Sequence, residues 1–204
     1  MEERKLNEKE SLELIAQMIQ NSKKNLQVGR GNQFILWGWL GAITSLVVMG
    51  MLMWTKNPMW NWLWFAIPVI GCPTMMWQMK KEEKPVVTFT DKVLIAIWKT
   101  IGTIGILSIL LMAYIAHNNQ LIIPGIILLL GIGSAISGVV LDNKRIQSWI
   151  SCTFGFTMIV SLRIAFDDTN PIWNNITFFI ANMGMSVIPG YILNKEAKKH
   201  VQGT

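Results

Sequence analysis

Arg163 is the residue of this chain with the strongest claim to chemistry, because it stands inside a long apolar run where a cation costs at least about 2.5 kcal/mol to place in hydrocarbon. Asp167 and Asp168 follow within about a helical turn, close enough to form an ion pair across an i, i+4 step. Such a pair, or snorkelling toward the headgroups, satisfies the arginine without a reaction; the alternative is a path for a solute or a proton past these groups. Asn182 lies deeper in the next apolar run, flanked by Phe178, Phe179 and Met183. Its amide needs a neighbouring helix or a buried water, which makes it either glue between helices or a contact to a substrate. Arg163, Asp167 and Asn182 form the candidate intramembrane polar site.

Little else offers a reaction. The two histidines, His117 and His200, are far apart, and Cys72 and Cys152 fall within apolar runs, so no cluster has metal-ligand spacing. No glycine-rich loop joins a strand to a helix, no serine belongs to a nucleophile motif, and no acid lies in an apolar run. Acid or base chemistry would fall to Asp167, Asp168 or His117. An enzyme is the weakest class, and no cofactor is expected.

The elements that must hold these residues are legible from composition. Of the 204 residues, 51% are hydrophobic and 15% charged, and the apolar ones are bunched into runs of roughly the 20 residues that a hydrocarbon core about 30 Å thick requires of a helix. The spans read as Phe34–Trp54, Trp60–Trp77, Ile95–Tyr114, Leu121–Leu141, Ser148–Phe166 and Asn175–Leu193. Lys99 sits in the first turn of the third and can snorkel. The predicted fold is all-α: a polytopic transmembrane helical bundle of about six spans, arranged as three hairpins and preceded by a cytoplasmic amphipathic helix. Residues 1–33 make the cytoplasmic segment, 34–193 the membrane domain and 194–204 a short basic tail. The polar start argues against a cleavable signal peptide.

Basic residues alternate across the connections. Six precede the first span, one (Lys56) lies in the first loop, four in the second, none in the third, two in the fourth, none in the fifth and three in the tail. Fifteen therefore fall on one side against one on the other, and the positive-inside rule puts both termini in the cytoplasm. The formal charge of +6 describes a face attracted to anionic lipid, so the bilayer is the expected partner and nucleic acid is not. Tryptophans at the span ends, Trp54, Trp60, Trp62, Trp64 and Trp173 outside and Trp37, Trp39, Trp77, Trp98 and Trp149 inside, read as interfacial belts.

Residues 7–27 are polar with an apolar stripe at helical spacing, carried by Leu12, Ile15, Met18 and Ile19. Asn7 with Glu10 resembles a capping box, and Lys23 and Lys24 suit the opposite dipole end. The stripe packs on the bundle or in the lipid interface, or it docks a cytoplasmic protein partner or a second copy.

The outer turns carry a near repeat, Asn57-Pro58-Met59-Trp60-Asn61 against Asn170-Pro171-Ile172-Trp173-Asn174, and each hairpin begins at an inner tryptophan, Trp39, Trp98 or Trp149, at nearly equal spacing. Three two-helix repeats around an axis would follow, although short turns beside an aromatic belt draw on the same residues anyway. Gly38 with Ala42, Gly41 with Ser45, Gly131 with Ala135, Gly133 with Ser137 and Ser134 with Gly138 are i, i+4 pairs suited to close helix packing. Pro68, Pro73 and Pro189 should kink or end their helices.

The order of an amphipathic helix, the passage Asn25-Leu26-Gln27-Val28-Gly29-Arg30-Gly31-Asn32, and then six spans resembles a group of short, uncharacterised bacterial inner-membrane proteins. The resemblance implies a bacterial inner-membrane location and no activity. Two roles follow from the residues: a non-enzymatic component that binds a partner or itself through residues 7–27, or a small solute or ion transporter with a pathway between the hairpins near Arg163 and Asn182.

Overall fold

The structure is a computed structural model and describes residues 30–81, 89–115, 121–166, 170 and 172–202. The predicted docking helix with Leu12, Ile15, Met18 and Ile19, and also Asp167, lie outside the described residues. Those described form six helical rods and no strands. Helix α1 is Arg30–Thr55; a 3-10 helix, Pro58–Phe65, leads into α2, Ala66–Lys81; α3 is Phe89–Ile115, α4 Ile122–Val140 and α5 Lys144–Phe166. The last rod has three parts: α6, Trp173–Asn182; a π-helical turn, Met183–Val187; and α7, Ile188–Gln202.

Four stretches are long and apolar enough to cross a membrane: Gly31–Thr55, Ile122–Val140, Lys144–Phe166 and Trp173–Ala197. The chain is a multi-pass membrane protein. Of the other two expected spans, the third is one helix, α3. The second is divided, because Pro58 cannot donate and opens a 3-10 segment, and regular α-helix begins only at Ala66. In a 3-10 helix residues three apart eclipse, and Trp62 accordingly stacks on Phe65 with ring centroids 5.5 Å apart.

The rods do not surround a threefold axis. The last one is the centre: α6 and the π turn pack on α1, α4 and α5 together, whereas α2 packs on α1 and α3 on α4. Within its apolar window 56% of the residues are buried, against at most 39% in the other three spans. A core of Ile127, Ile146, Ile150, Phe178, Ala181 and Met185 forms around it, and the outward faces are apolar, with Ile43, Val47, Ile106, Phe156 and Ile159 exposed as lipid contact requires.

The paired turns are nonetheless alike in detail. Asn57 Oδ1 accepts from the Met59 N–H at 3.0 Å, and Asn170 Oδ1 from the Ile172 N–H at 3.1 Å. Their carbonyls accept from Trp60 and Trp173. The five-residue likeness thus encodes one Asx-type turn used twice. Tryptophans divide in two: Trp39, Trp54, Trp62, Trp77, Trp149 and Trp173 are exposed at the rims, as belts require, whereas Trp64 packs edge-on against Phe178 and Trp98 against Phe34.

Candidate functional site

Polar side chains buried among the described residues are Ser45, Ser134, Ser137, Thr157, Ser161, Asn174, Asn175, Thr177, Asn182 and Ser186. None is charged, and half lie on the central rod. Its Asn174 faces α5, where the Ser161 hydroxyl donates to Asn174 Oδ1 at 2.8 Å. Asn175 donates to the Ile172 carbonyl at 3.0 Å, but its Oδ1 has no hydrogen-bond partner. Asn182 donates to the Phe178 carbonyl at 2.9 Å, and its Oδ1 lies so close to α1 that a β-carbon on Gly41 would collide with it. Asn182 therefore satisfies its amide N–H within its own helix and meets the neighbouring α1 by packing on Gly41.

Arg163 and Asn182 do not come together. The arginine is exposed on the last turns of α5, whereas Asn182 is 4% exposed and about ten residues deeper along the bundle, judged from the Ser161–Asn174 contact. Sequence reasoning missed Asn174, Asn175 and Ser161, since an Asn-Pro turn followed by Asn reads as loop. Ser161→Ala leaves a buried amide oxygen short of its donor and is expected to cost about 1 kcal/mol, read as a lowered Tm in detergent, while Ser151→Ala, on an exposed face of the same helix, leaves Tm unchanged.

Small residues set the seam between the first and last rods. A β-carbon on Gly31 would overlap the carbonyl oxygen of Gly190, and one on Gly38 would fall 2.8 Å from the Ser186 β-carbon. Gly38 with Ala42 and Gly41 with Ser45 thus serve the close packing expected of them. At the basic end a hydrogen bond ties the seam, Asn194 donating to Asn32 Oδ1 at 2.7 Å, and a second joins the last rod to the turn after α4, where Asn143 donates to Glu196 Oε2 at 2.6 Å. Asn143 Oδ1 also accepts from the Ile146 N–H at 3.1 Å, which caps α5. Asp142, just before it, takes the left-handed conformation (φ 52°) that closes the turn after α4.

The π turn is the feature that holds this seam in register. Asn182, Ser186, Gly190 and Asn194 all meet or flank α1, yet they are spaced by four. An unbroken α-helix would carry Asn194 about 120° round the axis from Asn182. The extra residue of one π turn takes back about 100° of that. Pro189, just beyond the turn, is where the sequence predicted a kink.

No family model, curated protein or solved structure matches this chain. The likeness to short inner-membrane proteins therefore rests on build alone. What the buried polar groups offer chemically is hydrogen bonding by amides and hydroxyls, and none of those buried among the described residues is an Asp, Glu, His, Lys or Arg.

Proposed function

We propose that this protein is a non-enzymatic component of a bacterial inner membrane, with both termini in the cytoplasm, that holds a cytoplasmic protein or a second copy of itself through residues 7–27. The observation that carries the reading is the tied seam at the basic end. Gly31 is locked against Gly190 and Asn32 against Asn194, so the point from which residues 7–27 depart is fixed to the most buried rod of the bundle. A docking segment anchored in this way transmits its load to the bundle rather than to one helix. In support, Lys80, Lys92, Lys99, Lys144, Arg145 and Lys195 are exposed, as a basic cytoplasmic face of a six-span bundle requires, and the buried amides and hydroxyls are engaged chiefly with helices.

Affinity purification in mild detergent tests the reading. The full chain is expected to retain a stoichiometric partner, or to run as a dimer, and a chain lacking residues 1–30 is expected to lose it. If both forms purify alone as monomers, the docking reading falls.

A transporter is the second reading, and the observation favouring it is the π turn beside Asn182 in the central rod, since such turns recur at functional sites. It predicts that uptake into proteoliposomes responds to Asn182→Ala and not to loss of residues 1–30.

A further inference from the structure

Helix α3 carries two lysines on a face turned away from the bundle. Among the described residues α3 packs on α4, with Ile101 filling the space over Gly133 and Gly105 facing Leu129. Trp98 also rests on Gly133 and meets Phe34 of α1 edge-on, with ring centroids 6.0 Å apart. At about 100° per residue, Lys92, Lys99 and Thr103 stand about 160° or more round the axis from Ile101. All three are exposed, as are Ile95 at 51% and Ile106 at 64%, and a β-carbon on Gly102 would meet nothing within 4 Å.

The contacts with α4 give the depth of this face. Ile101 meets Gly133 and Gly105 meets Leu129, so the two helices run antiparallel, with Lys99 level with about Ala135 and Lys92 with about Asp142. The apolar stretch Ile122–Val140 ends between those two levels. Lys92 therefore stands at the rim, and Lys99 lies about 8 Å inside it, where a bare ammonium is costly. Side chains of a helix tilt toward its N-terminus, which for α3 is the rim end, so the Lys99 stem leads its ammonium back across the exposed Ile95 toward Lys92. Thr103 makes no such demand, because its hydroxyl donates to the Lys99 carbonyl at 2.9 Å.

We propose that the outward face of α3 binds one phospholipid of net negative charge, its phosphate held between Lys92 and Lys99 and one acyl chain lying over Gly102 and against Ile106. Two ammonium groups that converge on one level suit a phosphate, whose oxygens accept charge-assisted hydrogen bonds from both. One turn deeper, the missing side chain at Gly102 leaves a trough between apolar neighbours for the chain that hangs from that headgroup. A second copy of the protein is a poor occupant, since a twofold contact through this face would set each Lys99 beside its own counterpart. Lys144 and Arg145 open α5 at the same end of the bundle and attract anionic lipid by charge alone. The site holds under either functional reading, since neither uses this face.

Mass spectrometry of the intact full chain released from mixed micelles, made with phosphatidylglycerol or with phosphatidylcholine of the same acyl chains, tests the proposal. The parent is expected to retain one phosphatidylglycerol with a preference of roughly tenfold or more over phosphatidylcholine, the scale set by two basic residues at a membrane surface. Lys92→Gln combined with Lys99→Gln should lose the preference, whereas Lys144→Gln combined with Arg145→Gln, which removes the same charge, should keep it. Gly102→Leu fills the trough where a side chain meets nothing else, so it should unfold at the parent's Tm yet retain less phosphatidylglycerol. Equal retention of the two lipids by the parent, or equal losses from the two paired variants, would overturn the site in favour of diffuse attraction. Undiminished retention by Gly102→Leu would overturn it as well.

Discussion

Gly31→Val is expected to abolish most of the stability of the bundle. A β-carbon at this position would occupy the space of the Gly190 carbonyl oxygen and would press on the Asn194 amide. Backbone cannot rotate out of the way as a side-chain end can, so α1 and α7 must part. Overpacking of this kind costs roughly 3 kcal/mol, and here it also removes the Asn194–Asn32 hydrogen bond. The measurement is Tm in detergent together with the elution profile. Gly50→Val is the control: it lies on the same helix, but a β-carbon there meets nothing within 4 Å, and its Tm should stay within a degree or two of the parent. Equal losses in the two variants would mean that the first and last rods do not meet at Gly31.

Deletion of Met183 is expected to leave the bundle folded, although removing one residue from a membrane helix ordinarily turns everything beyond it by about 100°. The π turn already holds one residue more than an α-helix would. Taking it out restores regular helix and keeps Ser186, Gly190 and Asn194 within about 60° of the direction of Asn182. An alanine inserted between Val187 and Ile188 acts in the opposite sense. It swings Gly190 and Asn194 off α1 and is expected to cost roughly 5 kcal/mol, comparable with the whole net stability of a small protein. Chromatography and thermal unfolding of the two variants read the difference. Collapse of the deletion variant would refute the register role of the turn.

Much of this architecture was legible in the residues. Long apolar runs separated by short polar turns gave helices at the expected places, since a chain in hydrocarbon must satisfy its own backbone. The small-residue pairs of α1 and α4 lie at contacts because only they admit close approach: a side chain at Gly131 would collide with Phe154, as one at Gly41 would with Asn182. What did not show was the arrangement of the rods. Near-equal tryptophan spacing suggested three equivalent hairpins, but spacing along a chain fixes depth in the membrane and not position around an axis. Trp64 and Trp98 illustrate the difference, being belt residues by sequence that wedge inward onto Phe178 and Phe34. The polar site divides along the same line. Asn182 was identifiable because an amide among phenylalanines has to find a partner. Asn174 and Asn175 were hidden by the Asn-Pro turn before them, and the π turn by a spacing of four that looks ordinary until Pro189 and the seam on α1 are considered together.

The central place of the last rod bears on how the molecule is made. A ribosome delivers α1 well before Trp173–Ala197, yet these two share a seam lined with small residues. Until that helix emerges, the Gly31, Gly38 and Gly41 face of α1 lacks the partner it meets here, and α4 and α5 meet without the rod that fills the space beside them. Completion is therefore a late event, and a chain cut short before Trp173 lacks the middle of its bundle rather than its edge. A quality-control protease that inspects half-built membrane proteins would find an open groove in such a fragment, and none there once the Trp173–Ala197 helix is in place.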